Sequence, residues 1–326
     1  MELSRTINSD KRYYLDENTI ENAASFLQTM RLFNDAKIDL YNALYDQKYL
    51  VSGPLIDHAY PVFLKEKYKT NDYYNAAIYS AASGSLSSQK ELKKYYSTTI
   101  TADLKTRDEK IKMIQEALDK KKAVKNSIRI YRKDGRWVTP YPRCQLKVKG
   151  LMIVLFNKTV VKLDEYERSV EADIRKLKTR LALVTEARKR KEKKLENIKN
   201  LPPERIVFGG KKLYSEKDTV GITKSAEDNK TSQKALKEWK QEFFEKRHQS
   251  MALPGRHTSK YGNFLCKYDG KDLSVTCIDG TTTVFHDFKL PRCEERFQKN
   301  FSCKPEDRQS LCYNFILKRD KENKQY

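Results

Sequence analysis

A long helical stripe is the feature that most restricts the fold of this 326-residue chain. Between residues 163 and 199, apolar side chains recur at alternating steps of four and three, at Val170, Ile174, Leu177, Leu181 and Val184. This spacing is typical of a helix that packs along a seam against another helix. Arg188 and Lys191 take the next seam positions, before Leu195 and Ile198 resume the stripe. The pattern predicts one long helix whose first half packs and whose second half presents positive charge.

Positive charge is concentrated in the middle of the chain. The net charge is +22; residues 1–100 sum to zero, and residues 101–250 carry +18 of the total. Such a basic segment, in a chain with a sequence pI near 9.5, favours a polyanionic partner. The apolar run 151–156 is too short to cross a bilayer, and no secretory hydrophobic segment follows the charged start MELSRTINSDKR. The sequence therefore predicts a cytoplasmic protein that binds nucleic acid and no membrane.

The six cysteines are predicted to be free thiols. They form no C-x-x-C pair, and the four histidines do not lie near them at the spacing of a zinc site. A zinc site built from Cys293 and Cys303 with distant ligands is the alternative. No metal or other cofactor is expected in this chain by itself.

Composition and periodicity divide the chain into helical and strand-rich parts. Few Gly and Pro over 1–125 favour helices, predicted over 18–44, 70–83, 89–96 and 101–124, with a turn at the small residues SGSLSS. From residue 127, SIRIYRKDGRWVTPY predicts a hairpin with a DG turn, and QLKVKGLMIVLF predicts a further strand. Near the C-terminus, three strand-like runs are separated by YDGKD and IDGTT, and LCYNFILKR is a fourth. The predicted fold class is α+β, with a helical lobe and a small antiparallel sheet or barrel.

Two segments extend the positive charge past residue 200. RIVFGGKKLY places Gly209 and Gly210, which tolerate positive φ, directly before Lys211 and Lys212. Backbone amides in such a corner can face a phosphate while the lysines supply charge. An ordinary glycine turn with solvated lysines is the alternative. The following segment SQKALKEWKQEFFEKR predicts an amphipathic helix with Trp239 on its apolar face.

Three blocks of sequence, taken in order, resemble the N-terminal half of the TnpB proteins of bacterial transposons and of the compact type V CRISPR effectors related to them. The first block is KTNDYYNAAIYSAASGSLSSQKEL, at 69–92. The second is RLALVTEARKRKEKKLENI followed by RIVFGGKKLY. The third is KEWKQEFFEKR, leading to a Gly-Asn turn at 262–263 and a strand-rich module. Together the blocks cover roughly residues 60–320.

The resemblance implies a helical recognition lobe and a wedge-type, OB-like β-barrel. In that family these parts hold a guide RNA and open target double-stranded DNA beside a short flanking motif. Family members continue into a RuvC nuclease domain with three catalytic carboxylates, whereas this sequence ends at KRDKENKQY. We therefore expect no catalytic residue here, and we expect Mg²⁺-dependent cleavage to require a RuvC polypeptide supplied in trans.

Four residues near the start of the first block are the candidate DNA contacts. Asn71 and Asn75 lie one helical turn apart, and an Asn amide can pair bidentately with an adenine edge. A helix N-cap at Asn71 and a surface amide at Asn75 are the alternatives. Tyr73 and Tyr74 are candidates for stacking on an unpaired base or, alternatively, for the core.

The candidate RNA contacts are basic residues of the second and third blocks. They are expected to bind phosphates, although charged runs of this kind are often only solvated. The set is Arg188, Lys189, Arg190, Lys193, Lys194, Lys211, Lys212, Lys240 and Arg247. Trp137, beside the DG turn, is expected to be exposed and to stack on RNA, whereas Trp239 is expected in the core.

The sequence thus predicts an RNA-guided DNA-binding protein built from four segments. A mainly helical lobe spans 1–125, with a barrel strand as an alternative for its first 15 residues, and a strand segment with a long basic helix spans 126–200. The Gly-Gly-Lys-Lys corner and the Trp helix span 201–257, and a β wedge module spans 258–326. Two other functions fit the same blocks: a nuclease-free RNA-guided transcriptional regulator, and an RNA-binding or RNA-processing factor without a DNA target.

Overall fold

The computed structural model describes residues 13, 19–50, 59–155, 157–220, 226–288 and 294–318, with the backbone alone for 226–232. The chain divides into two compact units, residues 1–89 with 204–326 and residues 90–203. We term them the core unit and the hairpin unit. Their boundaries differ from those of the four predicted segments, because residues 204–326 fold against the N-terminal residues while 90–203 fold back on themselves.

The core unit combines helices with two antiparallel sheets. Its helices are α1 (Ala23–Tyr49), α2 (Ala59–Tyr68), the first part of α3 (Asp72–Asp134), α5 (Lys211–Ser215), α6 (Ala226–Arg247) and α7 (Glu294–Ser302). One sheet has the order β1 (Ile20–Glu21), β8 (Thr282–Phe285), β7 (Leu273–Thr276), β6 (Cys266–Tyr268). The other pairs β5 (Ser250–Leu253) with β9 (Tyr313–Ile316).

The predicted C-terminal strands are confirmed, together with both turns that separate the first three. Asp269 and Asp279 accept hydrogen bonds from the amides of Lys271 and Thr281, at 2.8 and 2.9 Å, which is how Asx residues close short turns. The fourth strand, β9, pairs with β5 and not with its predicted neighbours. None of the described sheets closes into a barrel. Residues 1–12 lie outside the described residues, and the segment that joins the four-stranded sheet is β1.

Helix α1 is the centre of the core unit. Phe26, Met30 and Phe33 line its buried face at intervals of four and three residues, and Tyr41 continues that face about two turns later. These residues pack in one cluster with Val275 and other sheet residues. The helix was predicted to include Ile20, which instead pairs with Phe285 in β1 and is buried there. The helix predicted over 18–44 is present, and it begins at Ala23 and ends at Tyr49. Its buried residues recur regularly along the helix.

The hairpin unit consists of two long antiparallel helices and a small sheet. The helices are the rest of α3 and α4 (Leu163–Asn200), and the strands between them are β2 (Lys147–Lys149), β3 (Met152–Val154) and β4 (Val160–Lys162). Cross-helix ion pairs keep a nearly constant register, from Lys191–Asp103 through Lys121–Asp173 to Arg132–Asp164. Helix α4 has 38 residues and is about 57 Å long at 1.5 Å per residue.

The predicted turn at SGSLSS is wrong, because α3 continues through it. Ser83 and Ser85 donate their hydroxyls to the carbonyls of Tyr79 and Ala81, at 2.7 and 2.8 Å. These bonds satisfy the hydroxyls within a helix, where serine otherwise competes for the backbone. Buried Ala82 adds tertiary packing, which overrides the weak local helix propensity.

The predicted hairpin around the DG turn is also wrong. Ser127 and Ile128 are buried on the helix, and α3 ends only at Asp134. Gly135 follows with φ of 67° and donates its amide to Tyr131 O at 2.9 Å, which is a helix C-terminal stop. The next segment, QLKVKGLMIVLF, was predicted as one strand and forms two, β2 and β3, because Gly150 turns the chain with φ of 56°.

Candidate nucleic-acid interface

The three strands of the hairpin unit form an antiparallel meander with two different faces. Val148, Ile153 and Val161 are paired neighbours and share the inner face, where Ile153 is fully buried. Alternate residues of a strand point to opposite faces. The outer face therefore carries Lys147, Lys149, Met152, Val154, Val160 and Lys162. We term this three-stranded element the tip sheet.

The segment that contains the tip sheet carries positive charge that acidic residues hardly oppose. Residues 120–162 include 13 Lys and Arg and one acidic residue, Asp134. Four of these basic residues have carboxylate partners: Lys121, Lys122, Lys125 and Arg132. The other nine are exposed and have no ion pair within the described part of the chain: Lys120, Arg129, Lys133, Arg136, Arg143, Lys147, Lys149, Lys158 and Lys162. We term these nine residues the tip cations.

The basic run of α4 is partly neutralised inside the hairpin unit. Arg188 pairs with Asp108 at 2.5 Å, and Lys191 pairs with Asp103 at 3.2 Å, both across the seam. The prediction that the second half of the helix presents these two charges is wrong, because the facing helix supplies an acidic residue opposite each. Bonding to Lys191 lowers the pKa of the Asp103 carboxyl accordingly.

The other predicted contacts on α4 remain at the surface. Lys189, Lys193 and Lys194 are exposed, and none of them has an ion pair with a described residue. Arg190 is exposed and pairs with Glu186 one turn earlier, at 3.3 Å. A pair of this kind on an open helix surface is weak. Four of the five predicted α4 residues are thus accessible to an anion.

The Gly-Gly-Lys-Lys corner lies within the core unit and is packed there. Gly209 has φ of 97°, and a Cβ on it would lie 2.9 Å from the ring of Phe243. The amide of Gly210 donates to Val207 O at 3.1 Å, so it is not free to face a phosphate. Lys211 pairs with Glu204, and Lys212 is exposed. Packing against Phe243 explains Gly209, and a φ of 99° explains Gly210. The corner offers one exposed lysine, Lys212, without an ion pair among the described residues.

Helix α6 has one accessible predicted contact and one that is half-buried. Lys240 is exposed, whereas Arg247 is half-buried and its Nε atom is shielded without a hydrogen-bond partner in the described residues. Trp239 is buried as predicted, donates its indole N–H to Leu213 O at 2.7 Å, and stacks on Phe243. Arg247 is thus positioned by packing, and Lys240 alone faces solvent.

The expectation that Trp137 is exposed is wrong. After the helix stop the chain turns back, and Trp137 packs half-buried on the apolar cluster of the hairpin unit, edge-on to Tyr131 at 6.3 Å. Its Nε1 atom is shielded from solvent. The charged neighbours in the sequence suggested exposure, but a large apolar ring gains more by covering Ile128 and its neighbours.

Both asparagines predicted to contact DNA have internal partners. Asn71 Oδ1 accepts a hydrogen bond from the Tyr74 amide at 2.9 Å, which is the N-cap interaction of α3. Asn75 Nδ2 donates to Pro61 O at 3.0 Å and joins α3 to α2. The bidentate reading of an adenine edge needs a free amide group, so the structure favours a structural role for both residues.

The two tyrosines have different positions. Tyr74 is completely buried, donates its hydroxyl to Thr276 O at 2.7 Å, and has a phenol pKa raised by burial. Tyr73 is 42% exposed and stacks on Phe264 with ring centroids 4.5 Å apart. Tyr73 and Phe264 line a cavity of about 210 Å³ in the core unit, and the exposed Arg256 lies at the same cavity. Of the two tyrosines, Tyr73 is therefore the one whose ring is accessible.

The predictions about cysteines, metal sites and membrane spans can be compared with the described residues. Cys293 lies outside the described residues, and the Cys303 thiol donates to Lys299 O at 3.1 Å. The described cysteines, five of the six, form no disulfide. Within the described ranges, no group of three or more His, Cys, Asp or Glu side chains could hold a metal ion. No described helix has the length and apolar character needed to cross a bilayer.

Comparison with known proteins gives no match to any family model, curated protein or solved structure. The candidate interface is therefore described from the charge and exposure of its own residues. The tip cations include none of the predicted contacts, because the predicted list followed helical runs of lysine and arginine. A signal was present in the sequence: over 120–162 the basic residues are nearly unopposed, whereas the run at 188–194 contains Glu192.

Proposed function

We propose that the chain binds a structured guide RNA through its hairpin unit and is directed by that RNA to double-stranded DNA. The observation that carries the RNA part is the set of nine exposed tip cations without ion pairs in the described residues. A polyanion gains affinity by releasing counterions as such charges neutralise its phosphates. Lys189, Lys193 and Lys194 extend the same charge along α4.

Segregation of charge between the units also supports this proposal. Residues 90–203 contain 32 Lys and Arg against 15 Asp and Glu, a net charge of +17. The rest of the chain has a net charge of +5. Repulsion among charges of one sign destabilises a compact protein. A bound polyanion would reduce this repulsion in the hairpin unit.

The DNA part of the proposal rests on the resemblance and on one local feature. The exposed Tyr73 stacks on the half-buried Phe264 beside Arg256, an arrangement suited to an unstacked base and its phosphate. We propose that the open antiparallel sheet β1–β8–β7–β6 corresponds to the wedge module of the family. Within the proposal, cleavage of DNA is assigned to the RuvC domain of that family, with Mg²⁺ as its cofactor.

The test is purification of the chain with its RNA from cells, followed by sequencing of that RNA. We expect a constant structured part joined to a variable segment, and salt-dependent binding with a log–log slope of about −4 to −5 for roughly six neutralised phosphates. A DNA duplex matching the variable segment should then be retained. RNA without a variable segment would instead favour an RNA-processing factor, and a slope near zero would contradict the proposal.

Charge reversal at two places distinguishes the effect of the tip cations on RNA binding from the effect of the total net charge. Lys133→Glu with Arg136→Glu should weaken RNA binding strongly, because both residues are exposed tip cations. The matched control is Lys65→Glu with Lys67→Glu in the core unit, where each lysine already has a carboxylate partner. Equal losses in the two variants would mean that total charge, and not the hairpin unit, governs binding.

A further inference from the structure

We infer that the outer face of the tip sheet binds the sugar–phosphate backbone of a paired RNA stem and not an unpaired strand. This inference rests on the proposed RNA binding and assigns one part of the RNA to one surface. The face is built from Lys147 and Lys149 on β2, Met152 on β3, and Val160 and Lys162 on β4.

The three lysines are arranged around an apolar centre. Lys149, Met152 and Lys162 are direct neighbours across the three strands, which places the two lysine backbones about 9.6 Å apart at the usual strand spacing. Lys147 lies two residues from Lys149 along β2, or about 6.8 Å. Such separations are within reach of successive phosphates on a helical strand, because each lysine stem adds several ångströms of freedom.

Within the part of the chain that the structure describes, no residue hides the apolar side chains on this face. Met152 is 37% exposed, Val160 is 52% exposed, and Leu151 at the adjacent turn is 80% exposed. Aliphatic groups between lysines suit the ribose surface of a shallow minor groove. They do not suit the stacking of unpaired bases, which depends on aromatic rings.

The aromatic residues near the tip face inward. Tyr131, Trp137, Tyr141 and Tyr166 all pack on the apolar cluster of the hairpin unit. Among the described residues, the outer face of the tip sheet therefore carries no ring on which a base could stack. This composition favours a duplex, whose bases are already stacked on each other and which is recognised through its backbone and shape.

The sheet also fixes the positions of the lysine backbones before binding. Ile153 anchors the inner face in the core, and the Tyr131 hydroxyl donates to Gly150 O at 3.2 Å at the turn between β2 and β3. Two of the three carboxylates at the start of α4 are already engaged, since Asp164 and Glu167 both pair with Arg132, while Glu165 is exposed. The three lysines thus present their charge on a preorganised surface.

The experiment uses the full chain and three labelled probes of about two helical turns each: an RNA duplex, an unstructured RNA single strand and a DNA duplex of the same sequence. The variant is Lys147→Gln, Lys149→Gln and Lys162→Gln combined. The control is Lys176→Gln, Lys178→Gln and Arg180→Gln, which removes three exposed charges from α4 of the same unit. Thermal unfolding and Trp137 fluorescence establish that each variant is folded.

We expect the tip variant to bind the RNA duplex at least tenfold more weakly, with a salt slope smaller by about 2 to 3, and to bind the single strand within about twofold of wild type. The control should change duplex binding by less than about threefold. Equal losses for tip variant and control, a larger loss for the single strand, or tighter wild-type binding to the DNA duplex would each overturn the inference. If wild type binds RNA but the tip variant is unaffected, the inference fails while the proposed function survives; if wild type binds no RNA, the proposed function fails first.

Discussion

The core unit and the hairpin unit use charged and polar side chains in opposite ways. In the core unit, polar groups are bonded inside: the buried Tyr41 hydroxyl donates to Gln89 and accepts from the Ile206 amide, while Gln89 donates to Glu204 O. In the hairpin unit, the buried apolar cluster is small and the seam includes ion pairs such as Arg188–Asp108. These polar groups of the core unit are engaged within the fold, whereas the hairpin unit leaves the tip cations exposed and without ion pairs among the described residues.

This difference predicts where each unit is vulnerable. Apolar burial grows with the number of side chains removed from water, and the cluster of the core unit is much larger among the described residues. The two tryptophans allow each unit to be followed separately, because Trp239 belongs to the core unit and Trp137 to the hairpin unit. Single-tryptophan variants, Trp137→Phe and Trp239→Phe, supply the backgrounds for the measurements below.

The largest effect is expected from Phe33→Ala. Phe33 is 1% exposed at the centre of α1, and truncation of such a ring costs about 3–5 kcal/mol of unfolding free energy. Urea unfolding followed by Trp239 fluorescence measures it. Leu181→Ala, at a half-buried position of α4, should cost only about 1 kcal/mol by Trp137 fluorescence. Similar losses at the two positions would break the comparison between the units.

A smaller loss is expected from Tyr41→Phe. The change removes a hydroxyl that joins Gln89 to the Ile206 amide, at 2.8 and 3.0 Å, and leaves both groups buried without it. Leaving buried polar groups unsatisfied costs about 1–3 kcal/mol. The control is Tyr79→Phe on α3, where the side chain is 48% exposed and the change should be near zero. Equal values for the two tyrosines would show that the network does not stabilise the core unit.

Replacement of Lys37 by Met should stabilise the core unit at neutral pH. Burial lowers the pKa of Lys37 from 10.5 to about 8, so the folded state holds the proton less tightly than the unfolded state. The resulting penalty is fully present below pH 8 and disappears as the pH rises towards 10.5. Lys37→Met should therefore gain about 1–2 kcal/mol at pH 7, with no gain above pH 10.5. A gain in unfolding free energy that does not change with pH would exclude the buried charge of Lys37 as its cause. The control is Lys48→Met, at an exposed position of the same helix.

The smallest effect is expected at the seam of the hairpin unit. Arg188→Leu with Asp108→Leu restores an apolar seam, and replacing an ion pair by packed apolar residues is often neutral or stabilising. We expect a slightly higher urea midpoint by Trp137 fluorescence. Arg188→Leu alone should lower it, because Asp108 loses its partner. If the double variant is less stable than the single one, the ion pair contributes more to the seam than apolar packing would.

Local patterns predicted the elements whose burial is regular along the chain. Helices α1, α4 and α6 and the three strands after residue 263 follow the period of their apolar residues. The patterns failed at Gly84 and at Gly135. At Gly84 a glycine remains helical because neighbouring residues are buried, and at Gly135 a DG pair ends a helix instead of turning a hairpin. Both outcomes depend on packing that is not local.

The candidate interface was predictable in location but not in composition. The charge count already placed the excess positive charge in the middle of the chain, yet the predicted contacts followed α4, the corner and α6. Arg188 and Lys211 turned out to have carboxylate partners, and Trp137 turned out to cover a core. A count of basic residues against acidic ones over 120–162 would have located the segment that carries the tip cations, but not which of its cations lack an ion pair.

By itself, the sequence determined the total charge, its concentration in the middle of the chain, and the helical stripe of α4, because these depend only on residue type and spacing. The tertiary structure alone decided which cations remain available. Arg188 is neutralised by Asp108, which lies 80 residues earlier in the chain. Lys147, Lys149 and Lys162 share one open face because three short strands pair in a single register. Coulomb energy depends on distance in space, and distance in space is what the fold adds to the sequence.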